Sequence, residues 1–305
     1  MEKLKYVIAG AGGVGGSIAA MLYLAGEDVT CIARDSHLKA LQQEGLHYHS
    51  DLKGEHILPI PALSADDYQD KADVIFVCVK GYSISSILDM ITRASHAHTL
   101  VIPILNVYGT GPKIASLLPD NIEVLDGCIY IVGYKNAPGH ITQMGKVFRI
   151  VYGSRQSTPA LELQMKEVGA ALEHSGIKVN ISDDINRDTF VKWSFISAMA
   201  VTGMYYDCTM QSVQENPEIR QTFIGLSEES YALGKKLGIA FKEDQVTYNL
   251  RVMDSLDPNS TASMQKDMKA GHETEIQGQL FDLIALAEAN GVDIPTYKMV
   301  AKKFQ

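Results

Sequence analysis

Cysteine is scarce in these 305 residues, and what there is lies scattered. Cys31, Cys78, Cys128 and Cys208 form no CxxC pair and fall at no Cys/His metal spacing, which excludes a disulfide scaffold and a zinc knuckle. Three of them sit in apolar, strand-like runs, the usual setting of buried thiols in a reducing cytoplasm. Positive charge is also short: 27 Lys plus Arg stand against 36 Asp plus Glu, for a formal net charge of −9. Binding to a phosphate backbone needs a basic face, and no run of Lys or Arg supplies one, so no nucleic-acid partner is expected. No unbroken apolar stretch reads as a membrane span or a signal peptide. Residues 6–26 are uncharged and nearly long enough, but six of them are glycine, five between Gly10 and Gly16. A strand, a turn and a helix make better sense of them. Nor is there a G-x-S-x-G elbow, an H-E-x-x-H pair or any other metal-ligand spacing, so no metal is expected. His47, His49 and His56, like His96 and His98, lack a third ligand and read as surface histidines.

What remains is ordinary globular composition, 46% hydrophobic and 21% charged, in a chain long enough for about two domains at roughly 150 residues each. The first half alternates β-branched runs with helical patterns, as in a parallel sheet covered on both faces. Strands are expected at 6–9, 29–32, 74–79, 100–105, 122–132, 140–152 and 178–181. Helices are expected at 14–25, from an N-cap at Ser36 to Glu44, and at 159–175 with Gly176 as its stop. Residues 46–60 read as polar and irregular. Beyond about 183 the strand signals vanish and 3.6-residue periodicity takes over at 184–204, 217–237, 245–255, 264–290 (with a possible break at Gly271) and 296–304. The expected fold is therefore an α/β N-terminal Rossmann-like domain, 1–182, followed by a C-terminal all-helical domain, 183–305.

Gly10-Ala11-Gly12-Gly13-Val14-Gly15 is a G-x-G-x-x-G string that follows an expected strand and opens an expected helix. Gly10 permits a tight turn, Gly12 lets the backbone approach a pyrophosphate, and Gly15 lets helix pack on strand. The helix N-terminus, including Gly13 and Val14, would face the phosphates. Arg34 follows the second strand, where a cation would neutralise the 2′-phosphate of NADPH and an acid would favour NAD. Asp35 beside it leaves a solvated surface ion pair as the alternative. Lys80, at the carboxyl end of another strand, is a second cation favouring NADPH. In the helical half, Lys192 is the only cation between Arg187 and Arg220. Such a lysine either snorkels to solvent or faces a cleft, where it could protonate a carbonyl oxygen as hydride arrives. Trp193 beside it reads as core or as an interdomain wall.

Taken in order, the glycine string, Val79-Lys80, Asn106 with Gly109, Lys192, Ser263-Met264, Thr274-Glu275-Ile276, Gly278 and Gly291-Val-Asp-Ile-Pro295 resemble the ketopantoate reductase family over almost the whole chain. The resemblance implies NADPH-dependent reduction of 2-dehydropantoate to pantoate, a step toward pantothenate and coenzyme A, with the active site between the two domains. It implies that Gly10, Gly12, Gly13, Val14, Gly15, Arg34, Lys80 and Asn106 bind NADPH. Lys192 would be the general acid, oriented by Glu275, and Asn106 and Ser263 would bind a small 2-oxo acid. A cytoplasmic protein is expected, and a homodimer is left open.

The sequence departs from the family pattern in four places. Ile196 and Ala200 stand where asparagines four and eight residues after the lysine would line the substrate pocket. Val107 replaces a glycine and Ser83 a glutamine. A pocket that loses donors favours a more apolar 2-oxo acid, unless Ser194, Ser197 or Thr202 compensates. A non-catalytic NADPH sensor is the alternative from another class, and retention of both Lys192 and Glu275 argues against it.

Overall fold

A computed structural model describes residues 3–305. In chain order the first half holds β1 (Lys5–Ala9), α1 (Gly13–Leu24), β2 (Asp28–Ile32), α2 (Asp35–Glu44), β3 (Leu46–Ser50), β4 (Gly54–Leu58), β5 (Ala62–Leu63), β6 (Val74–Val77), a 3₁₀ turn (Gly81–Ile87), α3 (Leu88–Ala94), β7 (Leu100–Pro103), α4 (Thr110–Ala115), β8 (Glu123–Val124), β9 (Asp126–Ala137), β10 (His140–Gly153), α5 (Pro159–Ser175) and β11 (Lys178–Ile181). The second half holds α6 (Ile185–Tyr206), α7 (Met210–Glu215), α8 (Pro217–Lys236), α9 (Gln245–Ser255), α10 (Ser263–Lys269), a π turn (Gln277–Phe281), α11 (Asp282–Ala289) and α12 (Pro295–Ala301). The α/β and all-helical halves anticipated from the sequence are both present.

The chain divides into two compact units. One comprises the residues up to Leu105 together with Gly109–Ile185; the other comprises Asn106–Tyr108 and Asn186–Gln305. Three residues between β7 and α4 thus belong with the second unit, although the elements on either side of them belong to the first.

In the first unit a six-stranded parallel sheet runs in the order β5-β2-β1-β6-β7-β8. β1 lies between β2 and β6, with Ala9 in register with Ile32 and Val77. Val74–Val77 is buried throughout, as a central parallel strand must be. A second sheet, β11-β10-β3-β4 with β9 on the other edge of β10, packs against α1 and α5 through Tyr48, Ile141, Phe148, Ile150 and Tyr152. The stretch 46–60, read as irregular, is in fact the antiparallel β3–β4 hairpin: Leu46, Tyr48 and Ser50 alternate inward between polar residues, and Gly54 turns the chain at φ 83°. Two-residue periodicity was present but masked by histidines.

The expected N-cap at Ser36 is also corrected. Arg34 is the N-cap, and Asp35, already in α2, adopts φ 53°, a left-handed conformation that aspartate tolerates better than most residues. The strand expected over 74–79 ends at Val77, and the long helix expected over 264–290 is broken at Gly271 (φ 68°), resuming at the π turn. Gly176 stops α5 at φ 95°, the left-handed C-terminal role assigned to it.

The helical unit is built on α6. Phe190, Trp193, Ala198, Val201 and Met204 pack into one core with Phe223 and Leu226 of α8, Met253 of α9, and Tyr297 and Val300 of α12. A polar seam runs through this core. Gln245 donates to Ser194 Oγ at 3.1 Å and to Asn249 Oδ1 at 2.8 Å, and Asn249 donates to Ser227 at 3.3 Å. Glu229 of α8 accepts from the Thr296 and Tyr297 amides at 2.6 and 3.0 Å, so its carboxylate satisfies orphan donors at the start of α12.

Candidate active site

The glycine turn carries out its three tasks at three different positions. Gly10 has φ 103°, and a Cβ there would lie 2.8 Å from both the Val79 backbone nitrogen and Val79 Cγ1, so only glycine fits. At Gly15 a Cβ would lie 2.1 Å from the Gly10 carbonyl oxygen and 2.8 Å from Ile8, which is the close packing of α1 on β1. Gly12 is the opposite case: nothing lies within 4 Å of its ideal Cβ. Space on that side lets a ligand's phosphates reach the backbone. Gly13 has a separate reason to be glycine, since a Cβ would strike the Gly133 carbonyl of β9 at 2.4 Å. The donor set fits a dinucleotide, with an open backbone face at the N-terminus of a helix whose first turn carries no acidic residue.

Arg34 and Lys80 follow β2 and β6, the strands on either side of β1, and so stand at the same carboxyl edge as the glycine turn. Arg34 is well exposed and lies 3.7 Å from the Asp35 carboxylate. Lys80 is half-buried and caps the 3₁₀ turn that includes Ser83.

In the helical unit Lys192 is buried, 6% exposed, and its Nζ donates to Asn106 Oδ1 at 2.7 Å. The lysine does not snorkel to solvent. Asn106 is held from its backbone as well, because buried Gln279 donates from Nε2 to the Asn106 carbonyl at 2.5 Å. The next two residues tie the segment down. Val107 fills the space at Gly278, where a Cβ would lie 2.6 Å from Val107 Cγ2. Tyr108 stacks on Trp193 at 5.4 Å and 22°, meets Phe190 edge-on, and donates to Asn186 Oδ1 at 2.6 Å. Trp193 donates to the Gly278 carbonyl at 3.2 Å and is core of this unit.

Glu275 is buried just before the π turn, with its carbonyl accepting the Gln279 amide at 3.0 Å, whereas Ser263 is exposed at the head of α10. Ser194 and Ser197 are buried and used internally: Ser194 takes the Gln245 bond, and Ser197 lies 2.5 Å from the Gln279 carbonyl and 2.9 Å from the Tyr297 hydroxyl. Neither replaces a missing asparagine by pointing a free hydroxyl elsewhere. Thr202 is fully buried too. Gln279, Tyr108 and Asn186 were not singled out from the sequence. Gln279 and Asn186 fall in segments read as helix, and Tyr108 in the connection after the strand expected over 100–105.

Two of the four thiols are ruled out as nucleophiles by their burial. Burial pushes the Cys31 thiol up to about 12 and the Cys78 thiol higher still, so neither supplies a thiolate. His47, His49, His56 and His140 line a shallow cavity of about 470 Å³ on the outer face of the second sheet, where His47 stacks on His140 at 4.3 Å. Among the described residues no group of three His, Cys, Asp or Glu side chains is arranged to hold a metal ion, and no helix is long and apolar enough to cross a membrane.

Residues 6–157 match the family model described as ketopantoate reductase PanE/ApbA, and residues 184–305 match the model of its C-terminal region. The chain belongs to the ketopantoate reductase family. That makes it a member of a family of oxidoreductases acting on CH–OH groups. It is 27% identical over 274 residues to an uncharacterized oxidoreductase, YkpB, of Bacillus subtilis, covering 89% of this chain and 88% of that protein. It is 26% identical to a 2-dehydropantoate 2-reductase of Mesorhizobium japonicum, covering 96% and 94% of the two chains. Among solved structures, D-mandelate dehydrogenase in a ternary complex with NADH and anilino(oxo)acetate has the same fold, with a TM-score of 0.88 at 21% identity over 98% of this chain and 96% of that one.

Proposed function

We propose that this protein reduces a 2-oxo acid to the 2-hydroxy acid with NADPH, and that the 2-oxo acid is 2-dehydropantoate, giving pantoate for pantothenate synthesis in the cytoplasm. The observation that carries the reading is the buried Lys192 ammonium held at 2.7 Å by the Asn106 amide oxygen. A buried ammonium positioned by the Asn106 side chain in an apolar setting stabilises charge growing on a ketone oxygen. A nicotinamide dinucleotide whose phosphates are held at the glycine turn would supply the hydride. Lys192 then polarises the substrate carbonyl and donates the proton, while the Asn106 side chain keeps Nζ in place. Glu275 takes the substrate's hydroxyl side and Ser263 its carboxylate. Arg34 and Lys80, at the strand ends flanking β1, accept the 2′-phosphate, which is the reason to choose NADPH over NADH.

A second reading has one observation in its favour. Ile196 is half-buried and apolar and Ala200 is buried, so two positions expected to present amides present hydrocarbon instead. A bulkier, less polar 2-oxo acid suits such a lining, and the fold is also that of a D-mandelate dehydrogenase. The deciding experiment follows the loss of reduced-nicotinamide absorbance with 2-dehydropantoate and with a series that includes phenylglyoxylate, using NADPH and NADH side by side. Fast turnover of 2-dehydropantoate with NADPH supports the first reading. Preference for the aromatic acid supports the second. Tight NADPH binding with no turnover of any 2-oxo acid refutes both in favour of a cofactor sensor.

A further inference from the structure

We infer that His37 is a positioning residue for the dinucleotide site, anchoring the Ala11 carbonyl so that the Gly12 amide is aimed at the open face of the glycine turn. The proposal rests on the reading of that turn as the dinucleotide site.

His37 lies in the first turns of α2, 8% exposed, and both its ring nitrogens are engaged. The Gly139 amide, in the β9–β10 turn, donates to Nδ1 at 2.9 Å. Nδ1 therefore carries the lone pair, and the proton of the neutral ring is on Nε2, which donates to the Ala11 carbonyl at 2.7 Å. One imidazole thus ties the middle of the Gly10–Ala11–Gly12 turn to a hairpin turn more than a hundred residues along the chain.

The consequence follows from peptide geometry. In a planar trans peptide the carbonyl of one residue and the N–H of the next point in opposite directions. Fixing the Ala11 carbonyl toward His37 turns the Gly12 N–H away from it. The same residue has nothing within 4 Å of its ideal Cβ and makes no amide hydrogen bond within the described residues. A donor left unpaired at the head of α1 is what a pyrophosphate oxygen requires. The other bonds of the turn act elsewhere, since the Gly10 and Ala11 amides both donate to the Ile32 carbonyl, at 3.1 and 3.2 Å.

The anchor works only while His37 is neutral. A second proton would go on Nδ1 and set it against the Gly139 N–H, donor facing donor. Burial holds the His37 value below the ordinary 6.5, and the nearby Lys135 of β9 lowers it further, against the opposing pull of the Ala11 bond. Other charged or titratable groups on the elements packed there include His140, bonded to the Pro138 carbonyl in the same hairpin turn, Asp35, Lys39 and Glu44 on α2, all exposed, and Asp126, Tyr130 and Tyr134 on β9; the first turn of α1 carries no acid. A depressed folded-state value means that the unfolded chain takes up the proton first. The contribution is whole above about 6.5 and drains as the pH falls below that toward the folded-state value.

The test uses the full chain. NADPH affinity is titrated by fluorescence from pH 8 to pH 5 for the wild type, His37→Phe and His37→Gln, and hydrogen exchange at the Gly139 amide is followed without cofactor. The wild-type Kd should rise with acidity by up to about tenfold per pH unit once the proton competes. His37→Phe should bind about tenfold more weakly at pH 8, the effect of one hydrogen bond, and lose the His37 component of the pH profile. His37→Gln offers an acceptor for Gly139 and a donor for Ala11 without titrating, so it should recover wild-type affinity at pH 8 and stay flat below. The Gly139 protection factor should fall in the acid range in the wild type and hold in His37→Gln. A His37→Phe variant that matches the wild type in Kd and pH profile overturns the proposal, as does Gly139 protection that ignores pH. If the wild type binds neither NADPH nor NADH at any pH, the dinucleotide reading fails, and the exchange data alone report whether the anchor exists.

Discussion

Gly12→Ala separates binding from folding more cleanly than any other change in the glycine turn. The backbone there has φ −72° and ψ −163°, an extended conformation open to alanine, and the new methyl meets nothing within 4 Å. Two small effects on stability oppose each other. Removing a glycine from the unfolded ensemble stabilises by about 0.4–1 kcal/mol. Alanine is a poorer N-cap than glycine, and Gly12 caps α1, which costs about 0.5–1 kcal/mol. The net change should stay within about 0.5 kcal/mol. Cofactor affinity should behave differently, because the methyl occupies the approach to the Gly12 amide. Losing one charge-assisted hydrogen bond of about 1.5–3 kcal/mol weakens NADPH by about ten- to more than a hundredfold. Gly15→Ala provides the contrast: its methyl would sit 2.1 Å from the Gly10 carbonyl, so the fold itself should lose stability, by about 1–3 kcal/mol. Urea denaturation of the cofactor-free proteins and fluorescence titration with NADPH measure both quantities. Undiminished NADPH binding by a folded Gly12→Ala protein would refute the placement of the phosphates.

Three further outcomes are expected. Lys192→Ala should lower turnover by about a hundredfold or more, the usual scale for a general acid, with NADPH affinity nearly intact; single-turnover oxidation of bound NADPH checks this. Glu229→Gln keeps the volume but replaces one of the two acceptor oxygens on the α12 amides with a donor, and should cost about 1–2 kcal/mol in urea unfolding without changing NADPH affinity. Asp35→Asn keeps a residue that tolerates φ 53° while removing the carboxylate 3.7 Å from Arg34, so the NADPH Kd should fall modestly, about twofold in an exposed and screened setting, while that for NADH stays put.

The parts legible in the sequence were those in which one residue type has one physical use. Gly10, with its positive φ, and Gly15, under a neighbouring carbonyl, could be read from the string because nothing larger fits. Lys192 stood out as a lone cation in an apolar helix, and its burial excludes snorkelling to solvent. The hairpin over 46–58 was illegible for the converse reason. Its inward residues include Leu46, Tyr48 and Ser50 with His56 opposite Tyr48, and its outward ones include His47 and His49, so neither face has a uniform chemistry to reveal the alternation. His37 was hidden in the same way. A histidine on a polar helix carries no mark of burial until the Ala11 carbonyl and the Gly139 amide are found on its two nitrogens.

The segment 106–108 shows why a boundary drawn from texture misses what matters chemically. Composition changes near 183, where strand-like runs give way to helical ones, and the main division of the chain falls close by, after Ile185. Yet Asn106, Val107 and Tyr108 belong to the helical unit, although β7 and α4 on either side belong to the first. What recruits them is a set of contacts between residues some 80 to 170 positions apart: Lys192 and Gln279 on Asn106, Gly278 against Val107, and Trp193, Phe190 and Asn186 around Tyr108. No local pattern encodes such a set. Val107, a departure from the family's glycine, is accommodated because Gly278 has no side chain. The same contact binds the Asn106 backbone to the π turn that follows Glu275. The acceptor that holds the Lys192 ammonium is thus fixed by packing on both its backbone and its neighbours, which limits where the ammonium can sit.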